Sequence, residues 1–281
     1  MYNVRVKRFL DTEQIQVYST EMNSNFDGRK KFSKETGEIY PYERGHYEYV
    51  PFEGTQVRVT NMGDPERSLA VSRNRTINKI YDIARSNYWE WFLTFTFNPD
   101  KVDSFDYALC TKKLSQWLKN TKKQCPDMMY LVVPEQHKSG RWHFHGLFAN
   151  VENMTFIDSG IVQKGKRVYN LGNYKLGFTT ATRIEDLHRT VTYILKYISK
   201  ELCMHTKGKK RYWASRNVKL PELYQFLVPL NGEVMNEIFE GDSFIKIVRS
   251  EYVDVQYIEK SIYTTNLNVF VKNNVSDNIE E

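Results

Sequence analysis

Apolar and polar positions alternate with different periods along the 281-residue chain, and the changes of period mark its elements. From Pro65 to Ser86 the apolar residues Leu69, Ile77, Ile80, Tyr81 and Ala84 form a stripe at helical spacing. Arg67, Arg73, Arg75, Lys79 and Arg85 are left for the opposite face, and Pro65 suits the first turn. Trp91 to Phe97 is aromatic and β-branched and reads as a strand, with Phe95 and Phe97 on one face and Thr94 and Thr96 on the other. Asn98-Pro99-Asp100 closes it as a turn. Helical spacing returns after a cap at Asp103 or Ser104, through Phe105, Leu109, Leu114, Trp117 and Leu118, and stops before Pro126.

Strands are then predicted over Met128 to Glu135 and Arg141 to Phe148, joined by Lys138, Ser139 and Gly140. A three-residue loop sets the register. It puts Glu135 across from His143 and diagonal to His145, while Trp142, Phe144 and Phe148 take the opposite face. One face of this hairpin is thus wet and ligand-bearing, the other is core. Residues 150 to 186 predict a short hairpin around Gly165 to Asn170 and a strand near Phe178 to Arg183. Asp186 is placed to cap a helix over 187 to 202, on which Tyr193, Lys196, Tyr197 and Lys200 share one face.

The flanks are less legible. Gln14 to Tyr18, Tyr47 to Pro51 and Thr55 to Thr60 are short β-prone runs, and Phe244 to Val248 and Val253 to Ile258 alternate in the same way. The chain accordingly divides into a β-rich N-terminal extension (1–64), a central domain (65–220) and a C-terminal extension with an acidic, frayed tail (221–281). No repeat of solenoid length is present.

Composition adds limits. Forty Lys and Arg against 34 Asp and Glu is too mild an excess to define a partner by itself. Its distribution matters more: Lys207, Lys209, Lys210, Arg211, Arg216 and Lys219 surround Tyr212 and Trp213. Two readings of that stretch stand, a nucleic-acid groove in which cations meet phosphates and rings stack on bases, or a solvated loop. Cys110, Cys125 and Cys203 have no CxxC or paired spacing, so neither a disulfide framework nor a structural zinc site is indicated. The N-terminal residues have no apolar signal region, and no segment approaches ~18 uninterrupted apolar residues, so a soluble cytoplasmic protein without membrane contact is expected.

The candidate chemistry lies in the centre. His143, His145 and Glu135 offer two imidazoles and a carboxylate, a set that leaves positions open on a divalent ion. His137 is a second-rank ligand, and His46, His188 and His205 read as ordinary surface or packing residues. A tyrosine attacking phosphorus needs help, because its free pKa near ~10 keeps it protonated. Lys196 and Lys200 beside Tyr193 and Tyr197 would supply part of that help. The competing reading makes these rim residues of an amphipathic helix, yet Ile194, Leu195 and Ile198 already provide its apolar side.

The order of these motifs, a Thr-Phe strand (Phe92 to Phe97), a histidine pair around Phe144, and Tyr193-x-x-Lys196-Tyr197, resembles the rolling-circle replication initiators of the HUH endonuclease superfamily. Its two-tyrosine form is similar to initiators of small single-stranded DNA bacteriophages and related plasmids. The resemblance covers roughly 65 to 220 and includes Arg211 to Arg216 as a segment following the tyrosine helix. It implies an α+β fold with a central antiparallel sheet flanked by helices, related to the ferredoxin and RNA-recognition folds. It further implies His143 and His145 as ligands of Mg²⁺ or Mn²⁺, with Glu135 a less secure third, and Tyr193 as first nucleophile. Tyr197 is then a second nucleophile or a DNA contact. The implied activity is nicking of single-stranded origin DNA through a 5′-phosphotyrosine link, followed by rejoining. No G-x-x-x-x-G-K-[ST] sequence occurs, so unwinding and synthesis are expected from a helicase and polymerase of a bacterial host. Single-strand transposases and mobilisation relaxases share the chemistry, although relaxases add a third ligand histidine. From another class, a non-catalytic single-strand binder of the same fold also accounts for the aromatics and basic residues.

Overall fold

The computed structural model describes residues 2–22, 30–32, 39–41, 46–49, 56–59, 65–198, 200–206, 208–229, 244–248 and 255–261. The acidic tail expected at the C-terminus lies outside the described residues. The chain forms two compact units, one of Met1–Pro65 with Glu222–Glu281 and one of Glu66–Pro221.

In chain order the first unit contributes β1 (Tyr2–Arg8), β2 (Thr12–Met22), β3 (Lys30–Phe32), β4 (Ile39–Pro41), β5 (His46–Tyr49) and β6 (Gln56–Val59). The second unit runs from α1 (Pro65–Arg85) through β7 (Trp91–Phe95), α2 (Tyr107–Gln124), β8 (Met129–Gln136), β9 (Trp142–Ala149), β10 (Phe156–Gln163) and β11 (Lys166–Leu171). It ends with β12 (Thr179–Arg183), α3 (Leu187–Leu195), α4 (Lys200–His205) and β13 (Trp213–Ala214). β14 (Glu222–Phe226), β15 (Phe244–Val248) and β16 (Val255–Ser261) return to the first unit. The expected α+β architecture with antiparallel sheets is the one that forms. Among the described residues, no helix is long and apolar enough to cross a membrane.

In the first unit the two flanks share one five-stranded sheet, ordered β14-β1-β2-β16-β15, which the separate readings of the chain ends do not reveal. Its alternation buries Val4, Val6, Ile15, Val17, Phe226 and Ile258 together.

The second unit is built on a seven-stranded sheet, β10-β11-β12-β7-β9-β8-β13. Trp91, Leu93 and Phe95 of β7 and Trp142, Phe144 and Phe148 of β9 line one face and are buried. There Trp117 of α2 meets Phe95, and Tyr107 meets Trp142. Gly146 belongs to this packing, because a Cβ there would stand 2.6 Å from the Phe148 ring and 2.9 Å from the Val132 side chain. Phe92, Thr94, Glu135, His143 and His145 occupy the opposite face by alternation.

Several local expectations are corrected. α2 is capped by Asp106, whose carboxylate accepts from the Ala108 and Leu109 amides, not by Asp103 or Ser104. Phe105 consequently precedes the helix and is exposed, and Tyr107 and Cys110 are buried on it instead. Arg85, expected on the polar face of α1, is 1% exposed.

The helix expected over 187 to 202 is broken. α3 is capped by Asp186 as anticipated, but its end tightens through three-residue hydrogen bonds, Lys196 to Tyr193, Tyr197 to Ile194 and Ile198 to Leu195. The Ile198 carbonyl then accepts from Arg73 Nε of α1 at 3.0 Å. That bond ties the turn following α3 to α1. Lys200 opens α4, so it and Tyr193 belong to different helices, and its side chain is outside the described residues.

Candidate active site

The β8–β9 hairpin has the register that loop parity predicts, Glu135 opposite His143 and Val133 opposite His145. The His137 amide donates to the Arg141 carbonyl and the Gly140 amide to that of His137, closing a loop of Lys138, Ser139 and Gly140. Gly140 has φ +85°, a left-handed conformation that this loop needs and glycine adopts without a Cβ penalty.

Two of the three predicted donors touch. His145 Nε2 lies 2.7 Å from Glu135 Oε2, and the imidazole is buried while the carboxylate is half exposed to solvent. The His145 hydrogen bond holds the Glu135 carboxyl below its usual range, against the opposing effect of burial. The other ring nitrogen, Nδ1, is 3.1 Å from Thr94 Oγ1, directly across the β7–β9 pair. The buried imidazole is therefore fixed at both nitrogens, as ligand histidines are by their outer partners. Thr94 carries no role in the sequence reading. Its parity with Phe92 is the available signal, since both point to the histidine face.

His143 stands one register step further along. Its ring stacks on His137, with centroids 5.3 Å apart. Burial lowers the His143 pKa, and the neighbouring His137 lowers it further, so the ring favours the neutral form that binds metal.

Among the described residues, no three His, Cys, Asp or Glu side chains are gathered into a formed metal cage. The donor chemistry nevertheless fits a divalent ion. Neighbouring ligands of an octahedral Mg²⁺ with bonds of ~2.1 Å lie about 3 Å apart. The 2.7 Å contact between Glu135 and His145 is close to that spacing, with a proton where a cation would replace it. His143, on the same face, is the third donor available.

The tyrosines close over this face. Tyr197 lies flat on His145, with ring centroids 3.8 Å apart and planes within 4°. Tyr193 meets Tyr197 edge-on at 5.3 Å and Phe92 at 5.5 Å, and it remains 47% exposed. Burial pushes the Tyr197 phenol well above its ordinary pKa, and Tyr193 and Glu135 push the same way. Lys196 Nζ is 6.0 Å from the Tyr193 ring centroid. Hydrogen-bonding, ring and cation–π contacts thus bring Glu135, His145, Tyr193, Lys196 and Tyr197 together, with His143 across the strand pair from Glu135, whereas the Lys200 side chain is not described.

The basic stretch separates into two kinds of residue. Lys207 is outside the described residues. Arg211 is engaged at all three nitrogens, with Thr206 Oγ1, Ser72 Oγ and the Cys203 carbonyl, so three of its five N–H groups are committed within the fold. Trp213 pairs with Val132, is buried, and packs edge-on against Phe144, so it is a core residue where base stacking was expected. Tyr212 is half-buried against the same core. Lys209 and Lys210 are exposed, with ammonium groups over the Tyr107 and Trp213 rings, and Arg216 is exposed.

No curated protein and no solved structure matches the chain significantly. Residues 90–202, which carry the histidine hairpin and both tyrosines, match the family described as Replication-associated protein ORF2, a likeness consistent with a rolling-circle replication initiator.

Proposed function

We propose that the protein initiates rolling-circle replication by nicking single-stranded origin DNA with a tyrosine, assisted by Mg²⁺ or Mn²⁺. The observation that carries this reading is the stack of Tyr197 on an imidazole already held by Glu135 and Thr94, with Tyr193 against Tyr197. Potential nucleophiles and potential ligands are in contact, which core packing does not require.

His145, Glu135 and His143 would hold the ion, which when bound withdraws charge from the non-bridging oxygens of the scissile phosphate. Tyr193 acts first because its phenol is exposed to an incoming strand. Its oxygen forms the new bond to phosphorus as the bond to the 3′ oxygen breaks. The phenolic proton goes to solvent, and the leaving oxygen takes up a proton to become a 3′ hydroxyl. Lys196 stabilises the developing charge on the phenol side. Tyr197, less acidic and packed on His145, is held for the second transfer that rejoins the strand. Lys209, Lys210 and Arg216 contact DNA phosphates, and a host helicase and polymerase supply unwinding and synthesis.

The test incubates full-length protein with labelled single-stranded oligonucleotides tiled across the parent replicon and Mn²⁺, then scores denaturant-resistant protein–DNA adducts. Tyr193→Phe is expected to abolish the first adduct and Tyr197→Phe to spare it while blocking strand transfer. No adduct with any oligonucleotide, or an adduct retained by the double Phe variant, refutes the proposal. A relaxase-type variant of the reading draws on the stack of His137 on His143, which puts a third imidazole beside the pair. It predicts that His137→Ala weakens metal dependence as strongly as His143→Ala.

A further inference from the structure

A cavity of about 400 Å³ adjoins the candidate active site, and Glu135 and Tyr197 form part of its wall. Lys138 and Lys196 bring two cations to it, Leu202 an apolar wall, and Gln136 and His205 polar groups. Sequence reading leaves His205 on the surface without a partner; the fold gives it one 69 positions away.

Hydrogen-bond logic fixes the state of this pair. Gln136 Nε2 donates to the Gly140 carbonyl at 3.1 Å, an oxygen that can only accept, so the amide orientation is set. Gln136 Oε1 then faces His205 Nδ1 at 2.5 Å and must accept from it. With the proton on Nδ1, a neutral His205 keeps its lone pair on Nε2, which no group engages among the described residues. An exposed histidine on a short helix rarely has its tautomer set this way, and here it stands in the wall of a cavity next to the tyrosine.

We infer that this cavity seats one nucleotide of the single strand beside the scissile phosphate and that His205 selects for its base. Lys138 and Lys196 meet the flanking phosphates, Leu202 packs against the base, and His205 Nε2 accepts from a base N–H donor. The volume is in the range of about 300–1,000 Å³ usual for small-molecule sites. The inference rests on the nicking reading above and assigns the specificity of the same site.

The experiment measures the oligonucleotide concentration that half-saturates adduct formation, with Mn²⁺, for wild type and His205→Ala. It uses one cleavable sequence carrying a single abasic position moved stepwise across the nick. Wild type is expected to show a roughly fivefold to tenfold rise at one position next to the nick, the size of one lost hydrogen bond with its packing. His205→Ala should show the hydrogen-bond part of that rise, about fivefold, with intact DNA, and should equal wild type when that position is abasic. Gln136→Leu, which removes the orienting bonds at similar size, should reproduce this profile, and the double variant should be no worse than either single one. A His205→Ala penalty that persists whichever position is abasic would assign the residue a merely structural role and overturn the inference, as would no penalty at all. Absence of any wild-type adduct would instead remove the nicking reading and this inference with it.

Discussion

Replacing Thr94 by valine is expected to raise the Mn²⁺ concentration needed for half-maximal adduct formation about tenfold while leaving the domain folded. Valine keeps the shape and β-branching suited to a strand but cannot bond to His145 Nδ1. At 3.1 Å this is a neutral bond at the long end of the usual range, worth about 1 kcal/mol or roughly fivefold in an equilibrium constant. Outer-shell substitutions around metal ligands typically cost about 10–100-fold in affinity. The stack on Tyr197 still constrains the imidazole plane, which places the effect at the lower end of that range. Folding stability, read by urea denaturation, should change by no more than about 1 kcal/mol. Thr94→Ser, which keeps the hydroxyl and so the bond, should stay within about twofold of wild type. An unchanged Mn²⁺ midpoint in Thr94→Val, or equal impairment by Thr94→Ser, would refute the orienting role.

Trp213→Ala should cost about 3–5 kcal/mol of stability in chemical denaturation, because the ring fills core space against Phe144; a stable variant with weakened DNA binding would restore the base-stacking reading. Gly146→Ala should destabilise by about 1–3 kcal/mol, since its Cβ would meet Phe148 at 2.6 Å, and an unchanged denaturation midpoint would show that the ring can yield. In metal-free protein the His143 ring should titrate below the ordinary histidine value, and His137→Gln should shift its NMR midpoint upward by removing a neighbouring positive charge. The sign for stability follows. A histidine whose folded pKa is lowered stabilises the fold above its unfolded pKa near ~6.5, and the contribution falls as acid charges the unfolded ring first. A midpoint at or above the ordinary value would contradict the burial described.

What the sequence made legible was local. Loop length and strand parity were enough to place Glu135 opposite His143, because a two-residue period leaves no freedom once Gly140 sets the turn. Asp186 was legible as a cap for the same reason, its bond spanning only three residues. What escaped was settled by distant partners. The turn after α3 is tied to Arg73, 125 positions from Ile198, a partner that no local pattern reveals. Trp213 and Arg211 look alike in a basic stretch, and only strand pairing with β8 and the bonds to Ser72 and Cys203 show how far each is tied into the fold. The chain ends likewise carried readable alternation in β2 and β15 but no mark of sharing a sheet.

The 5.3 Å between the rings of Tyr193 and Tyr197 has a kinetic consequence for the proposed reaction. A strand end passed from one phenol to the other travels about the width of a side chain, so the exchange asks for rotamer changes and not for domain motion. For the exposed Tyr193 such changes take picoseconds to nanoseconds, whereas Tyr197 must first leave its stack on His145. No domain rearrangement then stands between the arrival of new DNA and closure, so the pace of such a cycle falls to the chemistry and to the return of the origin sequence.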